Sequence, residues 1–109
     1  MIVRLWTTTV RDGREGDYLA FANARSRPMF ASAPGCLGVL FLDLGDGRHA
    51  ACSFWSDAAS IEAFVSSAVY QQTVRDLVAT GALGDEQSTV VYTVEGGFVD
   101  AERVADALR

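Results

Sequence analysis

The chain reads as an α+β domain of the ferredoxin-like type, a βαββαβ order around a four-stranded antiparallel sheet, with a short helix added at the C-terminus. Three observations lead there. Apolar, β-branched runs at 2–10, 36–44, 48–55 and 88–97 are separated by two stretches of helical periodicity. The two middle runs are joined by "GDG", which supplies the left-handed backbone a tight hairpin needs. The strands are also apolar on both parities, as strands covered on two faces must be.

Residues 2–10, "IVRLWTTTV", are β-branched and aromatic and stop at the turn signal Asp12-Gly13. Residues 14–32 follow with Tyr18, Leu19, Phe21, Ala22, Arg25 and Met29 at mostly helical spacing, and with Glu15 and Asp17 near the positive end of the helix dipole. Pro28 has no N–H to give Ala24 and biases Arg27 away from helical angles, so a kink or a restarted turn is expected before "APG" at 33–35 closes the segment. The hairpin "CLGVLFLDL"-"GDG"-"RHAACSFW" comes next.

Trp55 stands on the last strand residue, at the corner where "SFWSDAASIEAF" changes period. A Ser56 or Asp57 cap starts a helix with Ile61, Phe64, Val65 and Ala68 on one face. Ser66-Ser67 is a natural break, after which Tyr70, Val74, Leu77 and Val78 continue the stripe to Gly81. "STVVYTVEGG" supplies strand four, and "DAERVADALR" is a helix too short to persist alone, which should dock on the domain or on a partner. Residues 1–96 therefore form the ferredoxin-like domain and 97–109 a helical extension.

Two helices cover one face of such a sheet. The other would expose Leu, Phe and Val beyond the few hundred Å2 of contiguous apolar surface that a monomer tolerates. A second copy packed sheet to sheet covers both at once, so a homodimer through the sheet face is expected, the dimeric α/β barrel.

At 109 residues the chain can bury a core without disulfides or a structural metal. A net charge of −5, with its basic residues scattered, argues against nucleic acid and anionic membranes as partners. No apolar run approaches the roughly 18 residues that span a bilayer. The N-terminus enters a strand without the n-region and h-region of a secretory signal, so a cytoplasmic protein is expected. In the hairpin register Cys52 falls opposite Leu40 or Phe41, leaving Cys36 about 13 Å along the strand by the usual rise per residue, too far for a disulfide.

The one histidine, His49, lies beside the hairpin turn and reads as a solvated loop residue; with two distant cysteines it makes no metal site. "GDG" and "GALGD" are not strand-to-helix phosphate loops, and no nucleophile elbow, Ser-His-Asp set or Cys-His pair is present. No cofactor is expected, and any catalysis must work without a metal held by histidine.

"PGCLGVLFLDLGDGRHAACSFW" followed by "SDAASIEAFVSSAVYQQTVRDL" resembles the antibiotic biosynthesis monooxygenase family, small dimeric α+β barrels that include cofactor-free anthrone or quinol oxygenases and haem-degrading enzymes. Pro34-Gly35, Trp55 at the corner and "YQQTV" carry the likeness, over roughly residues 1–96. The oxygenases resembled have a tryptophan where Trp55 stands and an arginine where Arg75 stands; where they have an asparagine and a tyrosine, this chain has Ala51 and Ile61. The haem degraders need an asparagine in strand one, where "WTTT" stands, and a helix histidine, which is absent.

The resemblance implies a cofactor-independent monooxygenase acting on a small aromatic substrate, a phenol, anthrone or quinol. Trp55 would be the stacking wall and Arg75 the stabiliser of a phenolate or developing superoxide. Thr7, Ser53 and Tyr92 would offer hydrogen bonds to a quinone oxygen, and Trp6 and Phe64 apolar substrate contacts. The alternative is a non-catalytic dimeric protein holding a small apolar ligand in the same cleft. An isomerase of the muconolactone type would need a carboxylate or histidine facing the cavity, and none is evident.

Overall fold

Strand β1 (Ile2–Val10) pairs antiparallel with β3 (Arg48–Trp55) on one side and with β4 (Leu83–Thr93) on the other, and β2 (Cys36–Gly45) adds outside β3. The resulting order β2-β3-β1-β4 is the ferredoxin-like α+β arrangement. The computed structural model describes residues 1–109. No helix is long and apolar enough to cross a membrane.

The hairpin forms where expected because Gly45, Asp46 and Gly47 all take positive φ, at 82°, 54° and 74°. Its register puts Cys52 opposite Leu40 and Cys36 opposite Trp55, so the two thiols are free and lie on opposite faces. His49 departs from expectation. It is the second residue of β3, opposite Thr8 on the helix-covered face, and is buried with its ring 5.1 Å from that of Tyr18. The tight turn brings the strand into register at once, so a histidine two residues beyond it already faces inward.

The first helical stretch runs as α1 (Glu15–Phe21), a π-helical turn (Ala22–Ser26) and α2 (Arg27–Ser32). Arg27 keeps helical angles, φ −56° and ψ −51°, and is not displaced by Pro28. The wide turn ahead of the proline absorbs the missing N–H, and it sets Ala22 and Ser26 facing the sheet. The second stretch follows the expected punctuation. Asp57 caps α3 (Ala58–Val65) by accepting from Ser60 N at 2.8 Å, and Ser67 caps α4 (Ala68–Ala79) by accepting from Tyr70 N. Gly81 ends α4 with φ 74°.

These helices cover one face of the sheet. Trp55, Met29, Phe30 and Phe64 form one buried cluster; Val10, Tyr18, Leu77, Ala82 and Leu83 form another. The strand register turns Val3, Leu5, Leu40, Leu42, Cys52 and Phe54 to the opposite face, which no element of the chain covers. Strand four begins five residues earlier than the sequence suggested, at Leu83, because Gly84 lets it lie directly against Thr9 at a bulge. The C-terminal helix α5 (Ala101–Ala107) has no buried residue, and Phe98 before it is 94% exposed.

Candidate functional site

Between the helix-covered face of the sheet and the helices lies a cavity of about 80 Å3, bordered by members of both core clusters. Its lining is mostly apolar: Trp6, Phe21, Phe30, Phe41, Leu77 and Leu83 set the character of its walls. Val74, Val78 and Gln87, which also line it, are solvent-exposed and mark its mouth between α4 and β4. The π turn contributes Ala22 and Ser26, an example of the widened turns that recur beside functional sites.

The cavity also holds a cation. Arg4 is the inward residue of β1 opposite Ser53, two positions before Trp6 on the same face, and only 6% of its surface is exposed. Its Nη2 donates to the Tyr70 hydroxyl at 3.0 Å, and its guanidinium carbon lies 5.6 Å from the Tyr70 ring centre. None of the chain's ion pairs includes Arg4. Burying an ion costs several kcal/mol even after relaxation, and here a phenol and its ring face are the only compensation the protein supplies.

Tyr70 is held from behind by an aromatic relay. Trp55 packs on Phe64 with ring centres 4.8 Å apart, and Phe64 packs on Tyr70 at 4.8 Å. The indole N–H of Trp55 donates to Ser53 Oγ at 2.8 Å, and that hydroxyl donates to the carbonyl of Arg4 at 3.3 Å. On the other side of the cavity stands Tyr18, whose hydroxyl burial pushes up to about 12. The hydroxyl therefore stays protonated at neutral pH. No carboxylate or histidine lines the cavity, and no three His, Cys, Asp or Glu side chains gather where they could hold a metal.

Of the residues singled out from the sequence, the structure brings Trp6 to the cavity. Trp55 is fully buried and does not line it, because Phe64 and Phe30 fill the space beneath the corner. Ser53 is equally buried and is spent on the Trp55 and Arg4 bonds. Phe64 borders instead a more open groove of about 540 Å3 beside α2 and α3, whose lining mixes serines with alanine, proline and Met29. Arg75 lies on the outward face of α4, bonded to Gln72. Thr7 and Tyr92 point to the uncovered face of the sheet, since they alternate with Trp6 and Val91. Arg4 and Tyr70 were not anticipated. The available signal was a lone charge in "IVRLW" on the same parity as Trp6 and Thr8, where a solvated arginine has no place.

A sequence profile for antibiotic biosynthesis monooxygenase matches residues 1–76. The chain belongs to this family. Among solved structures, a mutant of SnoaB, a cofactor-independent oxygenase from Streptomyces nogalater, superposes with a TM-score of 0.74 at 17% identity, covering 91% of this chain and 97% of that one. A Bordetella bronchiseptica protein carrying the same family name gives 0.73 at 26% identity, with 85% and 95% covered. An uncharacterized NIPSNAP domain protein from Burkholderia xenovorans gives 0.65 at 16%, with 92% and 100% covered. No curated protein is significantly similar to the chain. Within the family pattern, the position at which the oxygenases resembled carry an asparagine falls here on Ala51, which lines the cavity opposite Trp6.

Proposed function

We propose that the protein is a cofactor-independent monooxygenase that oxidises a small phenol or quinol in the cavity under its sheet. The observation that carries the reading is the cavity itself, an aromatic-walled, half-dry space built around Trp6 in a chain of the antibiotic biosynthesis monooxygenase family. The SnoaB neighbour is described as a cofactor-independent oxygenase, which supports the absence of a cofactor in the scheme. In the reaction the substrate supplies the electrons: a phenol and O2 give a quinone and water, one oxygen atom entering the ring and the other leaving as water. The protein's part is to hold the ring against Trp6 and keep solvent away from the reactive anion.

The volume narrows the substrate. An apolar cavity of about 150 Å3 holds one benzene; this one, at about 80 Å3, is smaller, so a monocyclic phenol fits better than an anthrone. The chain would act as a homodimer through the uncovered apolar face, with residues 97–109 as an extension. Its unpaired thiols on opposite sheet faces suit the cytoplasm.

A non-catalytic ligand-binding role has one observation in its favour, the lack of any carboxylate or histidine at the cavity to act as base. Oxygen uptake with a panel of phenols, naphthoquinols and anthrones separates the two. The oxygenase reading requires uptake matched by quinone absorbance in wild type and lost by tenfold or more (on the order of the effect of a misplaced substrate) in Ala51→Leu, which fills the cavity. Ligand binding without uptake for any compound would leave the binding role in its place.

A further inference from the structure

We propose that Arg4 and Tyr70 form an oxyanion receptor, so that the cavity selects a single-ring aromatic compound that it binds as its anion. The proposal rests on the cavity being the ligand site; it does not require that the ligand be oxidised.

An arginine has five N–H donors and cannot lose its charge. Arg4 makes one side-chain hydrogen bond within the protein, to Tyr70, and has no carboxylate partner, yet it is among the most buried polar residues of the chain. No fully buried side-chain nitrogen lacks a partner, so the guanidinium nitrogens without a protein partner keep some accessible surface, and Arg4 is one of the residues that line the cavity. Tyr70 uses its oxygen to accept from Arg4, which leaves its own proton to donate. Two donors, one charged and one neutral, are thus presented at one point of an otherwise apolar wall, while the rest of the lining suits a ring and offers no second cation. That arrangement fits one oxyanion at the edge of one ring. The net charge of −5 gives the chain no general attraction for anions, so the preference must come from the local donors.

The oxyanion could be a carboxylate or an ionised phenol, and two probes separate them. Benzoate and benzamide have nearly the same shape and differ in charge. Calorimetry on the full chain should show benzoate binding about tenfold or more tightly, in line with a charge-assisted bond in a partly dry site. The preference should collapse in Arg4→Gln, persist in Arg4→Lys, and weaken in Tyr70→Phe. With 4-nitrophenol, whose yellow anion reports its own ionisation, binding should lower the apparent pKa by about one unit or more; an unshifted pKa alongside tight benzoate binding assigns the site to carboxylates. Equal affinity for benzoate and benzamide in wild type, no benzoate binding at all, or a preference that survives Arg4→Gln overturns the proposal. Should Arg4→Gln fail to fold, the comparison of the two probes on wild type still decides. Anion selectivity without any oxygen uptake would remove the oxygenase reading and leave the receptor standing; uptake from phenols that benzoate does not inhibit would do the reverse.

Discussion

Trp55 illustrates how a residue can matter to a cavity that it does not touch. Its indole fills the corner between β3 and α3, braces Phe64, and through it Tyr70, the partner of Arg4. Truncation to alanine should cost about 3–5 kcal/mol in urea unfolding, the usual loss for a buried aromatic, whereas Arg75→Ala, on the exposed face of α4, should stay within about 0.5 kcal/mol. Corner position was legible in the sequence; what lay under the corner was not, because the filling side chains Phe30 and Phe64 come from two other elements. Arg4 was hidden for a related reason: a charge within an apolar strand announces itself, but its burial depends on Tyr70, 66 residues away. Tyr18 carries a pH signature. Its hydroxyl is raised by burial to about 12 in the folded chain, against about 10 when unfolded, so the folded state keeps a proton that the unfolded state releases. Stability from this group is intact below about pH 10 and is lost as the pH climbs to about 12. Absorbance titration should find one late tyrosine among the three, and Tyr18→Phe should abolish both the late step and its share of the alkaline loss.

At the level of elements, the periods, caps and turns were mostly readable, since each is set by residues within a few positions of one another. The breaks at Asp57, Ser67 and Gly81 fall on cap chemistry that any reading of the chain would mark. The π turn before Pro28 was less accessible, because a missing N–H can be relieved by a kink or by a wider turn, and the choice depends on Ala22 and Ser26 packing toward the sheet. Gly35 shows how an element junction is fixed. It takes φ 81°, its carbonyl accepts from Ser56 N at 2.9 Å, and a methyl group at its Cα would run into the Ser60 side chain. Gly35→Ala should therefore lower the melting temperature, by an amount equivalent to about 1–2 kcal/mol for the left-handed backbone alone. Because part of the penalty is steric, the double variant Gly35→Ala with Ser60→Gly should recover some of it, and no recovery would mean that the backbone strain accounts for the whole loss.

For the whole molecule, the sheet divides two jobs between its faces. One face, with the helices, encloses the cavity; the other presents Val3, Leu5, Leu40, Leu42 and Phe54 without cover from its own chain. Sedimentation should give a particle of twice the 11.7 kDa chain mass, and Leu5→Glu, which places a charge in the middle of that face, should yield monomer. The order of elements and the apolarity of both sheet faces were plain from the sequence, since both follow from local pattern. The cavity was not, because it is the gap left where two core clusters fail to meet. The most direct measurement is therefore a crystal structure with a single-ring phenol bound. The account predicts the ring inside the cavity against Trp6, with its oxygen on Arg4 and Tyr70. A ring seated instead in the groove beside α2 and α3, next to Phe64 and away from Arg4, would contradict it.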